Sequence, residues 1–560
     1  MDEQQARLLL AIALSLIVLM GWSFFFVDKN AVNKPVQETE VTEQVTEEAP
    51  PKPEQAQADE VVADAVPPVQ DDFSQPARDP RTITVKSPFY SVKISEKGAV
   101  FNSFVLEKYR EQVAEDSPLK EMIPEKNTKG TLMTGFAKDT VPGIEQAVFS
   151  ANTESDSLEV MNNPKDVVFT WQSPKGIVFE KKFRFSPETY LIGLTITIKN
   201  GSGQTIKDDL ALTLRSFVSE GSNVYGFAGP VALVDNKLER IKDIEETKEL
   251  AGNLKWTADV DKYFMSCIIP EKPSGSSRMR LVPKKDNELE NQFIYPVEAI
   301  IPHASQQYEF KIFIGPKNVN LLSKLGYDLK EAIKFGRWGT FDFLAIPCLH
   351  LMNWLYQFIP NYGIAIIILT MFIKLLLWPL GNKGYQSMNE MKKLQPLMTE
   401  IREKYKNDKA KMNEELMKLY RTYKVNPMGG CLPMILQIPV FIAFYGMLYE
   451  SIELRHAPFF LWINDLAAPD RLLNFGFSVP LMEPPYGIPV LTIIMGATMF
   501  LQQKMSPAPG DPAQAKMMMF MPIVLTVIFI NFPSGLVLYW LVNNILSIAQ
   551  QYHTLKKKTT

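Results

Sequence analysis

The sequence predicts a multi-pass α-helical membrane protein that carries a large extracytoplasmic antiparallel β-sandwich. Three observations predict it. There are six apolar runs close to bilayer length. Residues 81–316, between the first and second runs, are patterned with period two. Lys and Arg are distributed very unevenly among the loops that join the remaining runs. The net charge of -3 over 560 residues averages an acidic tether, a mixed soluble region and a Met- and Phe-rich membrane region, so the parts are read separately.

Residues 1–27 read as an N-terminal anchor, apolar from Leu8 to Val27 and therefore about 20 residues long. The run ends on Trp22-Ser-Phe-Phe-Phe-Val-Asp28 rather than on the small residues of a cleavage site, which predicts an uncleaved anchor. Residues 28–80 are rich in Pro, Glu, Asp, Gln and Val and poor in aromatics, the composition of a disordered, self-repelling linker.

Residues 81–335 are expected to form the sandwich with a helix at its C-terminal end. In Tyr190-Leu-Ile-Gly-Leu-Thr-Ile-Thr-Ile-Lys199 the side chains of Tyr190, Ile192, Leu194, Ile196 and Ile198 share one face, and Thr195, Thr197 and Lys199 the other. Thr82-Ile-Thr-Val85, Ile177 to Phe185 and Tyr308 to Ile314 repeat the pattern between Gly, Pro and Asn punctuation. Leu321, Leu325, Leu329 and Ile333, spaced by four, predict the following helix. Three scattered cysteines (Cys267, Cys348, Cys431) and four scattered histidines (His303, His350, His456, His553) give no disulfide framework and no metal site. No phosphate-binding loop or catalytic constellation is visible, so neither cofactor nor enzymatic activity is expected.

Residues 336–358, with Pro347 and the polar Asp342, His350 and Asn353 among aromatics, read as an amphipathic helix lying in the membrane interface. The alternative is a kinked start to the next span. Residues 359–552 then hold five apolar runs, about 361–380, 431–449, 488–503, 517–532 and 535–551. The loop 381–428 carries eleven basic residues from Lys383 to Lys424, whereas Ser451 to Gly487 has only Arg455 and Arg471. The first loop, the loop Lys504 to Lys516 and the basic tail 553–560 are therefore assigned to the cytosol, with both termini inside and the sandwich outside. Loop 381–428 reads as a helical hairpin, with Met388, Met391, Met398, Ile401 and Tyr405 on one arm and Met412, Leu416, Leu419 and Tyr423 on the other. It is either a solvated hairpin that serves topology alone or a basic face that meets ribosomes, nascent chains or lipid head groups.

Lys374 lies inside the run 361–380, about six residues and hence roughly 9 Å from its cytosolic end. An ionisable side chain at such depth costs about 3 kcal/mol or more unless water or a counter-charge reaches it, which marks a candidate functional site. The alternative is snorkelling of the long side chain to the interface. Thr370, Gln437, Tyr539, Asn543 and Ser547 could line a wet groove with it, Asn543, Ser547 and Gln550 sharing one helical face. Met517, Met518 and Met521 offer a soft apolar contact for varied substrates, or serve as lipid-facing filler. A coupled transporter should show several intramembrane charges, and a hydrolase a nucleophile with its base; neither pattern is present.

Leu394-Gln-Pro396, Lys404-Tyr-Lys-Asn-Asp408, the stretch Val425 to Phe441 and Phe532-Pro-Ser-Gly-Leu-Val-Leu-Tyr-Trp540 carry a resemblance to the YidC membrane protein insertase family of the YidC/Oxa/Alb superfamily. It covers about residues 335–551, and the anchor with its large external domain resembles the Gram-negative type. The resemblance implies six transmembrane helices, five of them forming an insertase core around a cytosol-open hydrophilic groove with a central positive charge. It also implies a bacterial inner-membrane location, nascent membrane proteins as substrates, and action alone or beside the Sec translocon. Ribosome contact would run through the hairpin and tail. The family's groove charge is usually arginine; Lys374 keeps the charge without the planar fork.

Overall fold

The computed structural model describes residues 79–217, 227–242, 244–335, 341–426, 432–506 and 512–556. The expected anchor and linker lie outside the described residues.

Period-two patterning becomes sheet as expected. A nine-stranded sheet runs from Lys237–Arg240 at one edge to Ser150–Ala151 at the other and carries the strand Leu191–Asn200 near its middle. That strand pairs antiparallel with Ile177–Phe185 on one side (Ile198 opposite Phe179) and with Ser305–Pro316 on the other (Ile196 opposite Tyr308). Tyr190, Ile192, Leu194, Ile196 and Ile198 are all buried. Two five-stranded sheets, one built on Val100–Arg110 and the other on Leu210–Phe217, complete the sandwich-like stack. A core rich in Phe101, Phe104, Phe179, Phe183, Trp256 and Phe293 holds them together, each ring fully buried. One lysine is buried among them. Lys181 donates to the backbone oxygens of Gly98, Ala99 and Leu132 at 3.2, 2.7 and 3.2 Å, tying two sheets together. Burial pulls its ammonium down to about 7.

The helix expected over Leu321 to Ile333 is shorter than its spacing predicts. Helix α1, Val319–Leu325, is capped by Asn318, whose side chain accepts from Leu321 N at 2.9 Å. Gly326, Tyr327 and Asp328 then take positive φ of 80, 51 and 55°, which breaks the ladder; Leu329 and Ile333 are buried from a separate short turn.

Helix α2 is Asp342–Phe358. Its polar residues Asp342 and Asn353 face the protein, Asp342 accepting from Phe335 N and Asn353 from the Tyr362 hydroxyl. The exposed aromatics are Phe343, Trp354 and Phe358, and the polar His350 and Gln357 are exposed on the same helix. Aromatic and polar groups therefore share the outer surface of this helix.

Helix α3 is Tyr362–Leu376 and α4 is Trp378–Lys404, and the two meet at a 66° bend. The expected run to residue 380 is thus cut at Leu377, because Pro379 has no N–H with which to continue the ladder. The hairpin forms as expected from α4 and α5, Lys409–Thr422, with Asp408 capping the second arm through Lys411 N. Leu394, Met398 and Leu416 are its core. Tyr420, bonded to the Met398 sulfur, takes the place expected of Tyr423, which is exposed.

The remaining helices are α6, Leu432–Glu450; α7, Val490–Met505; α8, Pro512–Phe529; and α9, Ser534–Lys556. Helix α9 packs on α3, α4, α6 and α7 and is the hub of the bundle. Among the described residues no single helix joins sufficient length to sustained hydropathy; the bent pair α3–α4 meets that measure together.

Candidate functional site

Lys374 lies in the last turn of α3, two residues before its end, rather than deep within a straight span. The partial negative charge of the helix C-terminus favours a cation there. Its ammonium donates to the Ser547 hydroxyl at 2.7 Å and to Asn543 Oδ1 at 3.4 Å, both on α9. Ser547 in turn donates to the Asn543 carbonyl at 2.7 Å, which leaves its oxygen lone pairs for the ammonium. Among the described residues no carboxylate lies within ion-pair distance of Lys374. The charge is held by neutral oxygens alone.

A small cavity adjoins it, about 40 Å³ in volume, lined among others by Thr370, Lys374, Gln437, Tyr539 and Asn543. Five of the six residues expected in the groove thus meet around it, and Ser547 reaches it through the lysine. The cavity has room for a few water molecules at most. Its members differ in what they can offer. Thr370 spends its hydroxyl proton on the Ile366 carbonyl at 2.6 Å. Tyr539 hydrogen-bonds Gln437 and stacks on Phe444 with centroids 4.8 Å apart.

Met517 and Met521 are exposed and Met518 half-buried, and none of them lines the cavity. The methionine run therefore forms an outer surface of α8, apart from the lysine.

Sequence reasoning placed Gln550 on the groove face but missed its partners on α4, Trp378 and Asn382, which with it form the floor of the site. Gln550 is buried and donates from Nε2 to Trp378 O at 2.9 Å and to Asn382 Oδ1 at 3.1 Å, pinning the first turn of α4 to α9. Gly381 makes that approach feasible, since a Cβ there would stand 2.7 Å from Gln550 Nε2. Tyr385 completes the wall. The signal for Gln550 was the period of α9, which places it on the Asn543–Ser547 face.

Known proteins match both halves. A family model described as 60Kd inner membrane protein matches residues 354–560, and one described as YidC periplasmic domain matches residues 82–351. A protein of Syntrophus aciditrophicus (strain SB) named membrane protein insertase YidC is 41% identical over 98% of this chain and 99% of its own length. One of the same name from Geotalea uraniireducens (strain Rf4) is 40% identical over 98% of each chain. A solved structure titled as an active YidC insertase with its first transmembrane domain resolved is 18% identical, covering 85% of this chain and 93% of its own, with a TM-score of 0.38. Near-complete mutual coverage at such identity is decisive: the chain belongs to the YidC family of membrane protein insertases, inner-membrane proteins with a periplasmic domain.

Proposed function

We propose that the chain inserts membrane proteins by drawing their polar segments part-way into the bilayer toward Lys374. The observation that carries this is the ammonium held by Ser547 and Asn543 with no carboxylate beside it among the described residues. A cation so placed keeps an unspent attraction for acidic groups, and in a low-dielectric setting that attraction is stronger than in water. The cavity of about 40 Å³ is too small for a polypeptide, so the present state is closed and a substrate must part α3 from α9 to enter. The substrate's own apolar span supplies the driving force, about 25 cal/mol per Å² buried. Helix α7 has 16 residues, about 24 Å at 1.5 Å per residue, and would thin a hydrocarbon core of about 30 Å.

In this reading α3, α6, α7, α8 and α9 are the five core spans, α2 lies in the outer interface, and the hairpin, both termini and the tail are cytosolic. Together with the N-terminal anchor the count is six. Clients arrive alone or beside the Sec translocon, with the ribosome meeting the basic hairpin. The exposed methionines of α8 are an apolar surface for client spans.

Photo-crosslinking from Gln437 and Thr370 during synthesis of a short single-span protein with an acidic translocated tail tests the proposal. Crosslinks from both positions are expected. Crosslinks from lipid-facing Phe372 alone, with none from these two, would reject the route and favour snorkelling of Lys374.

A further inference from the structure

The segment from Ser451 to Pro489, between α6 and α7, carries an apolar surface that insertion does not explain. It closes over one set of helix ends: Asn361 Nδ2 donates to Phe459 O at 3.2 Å, Gly535 N to Leu466 O at 2.9 Å and Ser534 N to Ala468 O at 2.8 Å. Arg455 also reaches the sandwich, donating to the carbonyls of Arg110 and Glu111. The segment therefore sits on the periplasmic side, at the level where the helices stop.

Within it, Leu472–Asn474 and Gly487–Ile488 pair as the base of a hairpin. Arg471 is its internal hub. Nε donates to Pro485 O at 2.7 Å, Nη1 to Asp470 O at 2.9 Å and Ile530 O at 2.8 Å, and Nη2 to Asn531 Oδ1 at 3.2 Å. Asn531 answers by donating to Leu481 O at 3.0 Å and accepting from Glu483 N at 2.9 Å. The guanidinium fork is thus used on neutral oxygens, and the hairpin is fastened to the turn between α8 and α9.

This fixed frame displays large apolar side chains. Leu473 is 65% exposed, Phe477 65% and Leu481 76%. Phe475 and Phe477 stack with centroids 5.3 Å apart. Leu473 and Leu481 are held at φ of 59 and 64°, a region uncommon for leucine. Beyond Arg471 itself, the only charge before Gly487 is Glu483. The backbone is prepared for a medium without water: side chains pair with the carbonyls of Leu481 and Pro485, and Pro480, Pro484 and Pro485 have no N–H to satisfy. Irregular backbone survives against lipid only when its polar groups are paired internally.

We propose that this hairpin is a wedge whose Leu473, Phe477 and Leu481 enter the headgroup–acyl boundary of the outer leaflet. Lipid is the occupant because the frame is continuous with the ends of membrane helices and offers almost no charge with which to orient a protein partner. Its placement rests on contacts with the sandwich and with the helix ends and is independent of the route proposed at Lys374.

The test places a fluorescent amino acid at Phe477 in the full chain in nanodiscs, with a second sample labelled at exposed Lys207 of the sandwich. Quenching by phosphatidylcholine brominated near the headgroup should be about threefold or more greater at Phe477, and quenching by aqueous iodide smaller by a similar factor. Equal iodide quenching at both positions overturns the proposal. Protection of Phe477 from both quenchers means that protein covers the hairpin and overturns it as well. Arg471→Ala in the chain labelled at Phe477 should restore iodide quenching, because the released carbonyls return to water; unchanged lipid quenching overturns the part given to the hub.

Discussion

Gly381 and Gln550 stand so close that a methyl group on the glycine would meet the amide nitrogen at 2.7 Å. The first turn of α4 and the C-terminal half of α9 are thereby locked beneath Lys374. Gly381→Ala should displace the Gln550 amide from Trp378 O and cost about 1 kcal/mol, the net worth of one buried hydrogen bond. In a Gln550→Ala background the same change should cost little, because the obstructed group is gone. Thermal unfolding of the two single variants and the double variant measures this, and additive losses would refute the coupling.

Lys374→Glu should abolish insertion of clients with acidic translocated tails, and Lys374→Arg should preserve it, because the site presents charge rather than a two-pronged geometry. Ser547→Ala leaves Asn543 as the remaining side-chain oxygen on the ammonium and should lower insertion by about fivefold, the equivalent of roughly 1 kcal/mol. Protease protection of a reporter substrate reads all three. Equal activity of Lys374 and Lys374→Glu would remove the electrostatic role.

Deleting residues 82–316 should leave insertion largely intact while lowering the thermal stability of the remaining core. The deletion takes away Arg110 O and Glu111 O, on which Arg455 rests. It also separates the core from the sandwich to which Asn318, donor to Glu453 at 3.0 Å, is attached. Loss of growth support by a well-expressed deletion would instead place the domain in the central task.

The sandwich should become more stable as pH rises above 7. Lys181 titrates near 7 when folded, against 10.5 for an ordinary lysine. Between those values the unfolded chain binds more protons than the folded one, so unfolding becomes harder as pH increases. Lys181→Met should flatten that slope. It should also cost about 1–3 kcal/mol at pH 9, where its three carbonyl acceptors are left bare. A melting temperature of the sandwich that falls from pH 7 to 9 in the parent chain would contradict the sign.

Sheets were readable because burial of one face imposes period two, and Tyr190 to Ile198 carry that period without interruption. Lys374 was readable because a cation within an apolar run has few structural explanations, and its α9 partners followed from helical spacing. The bend at Leu377 was hidden: Trp378-Pro379 lies inside an unbroken apolar stretch, and hydropathy does not register a missing N–H. The inward turn of Asp342 and Asn353 on α2 was hidden because their partners, Phe335 N and Tyr362, lie outside that helix. The methionines of α8 share composition with a binding surface, but composition does not say which way a helix is rotated.

The bend at Leu377 makes α4 a lever. Its 27 residues extend about 40 Å at 1.5 Å per residue. A swing of about 5° about that pivot would carry the far tip through roughly 3.5 Å yet shift Gly381 by less than about 0.5 Å, given the same rise per residue. Motion at the far end of α4 is therefore damped before it reaches the lysine, so the arm can move without retuning the charge.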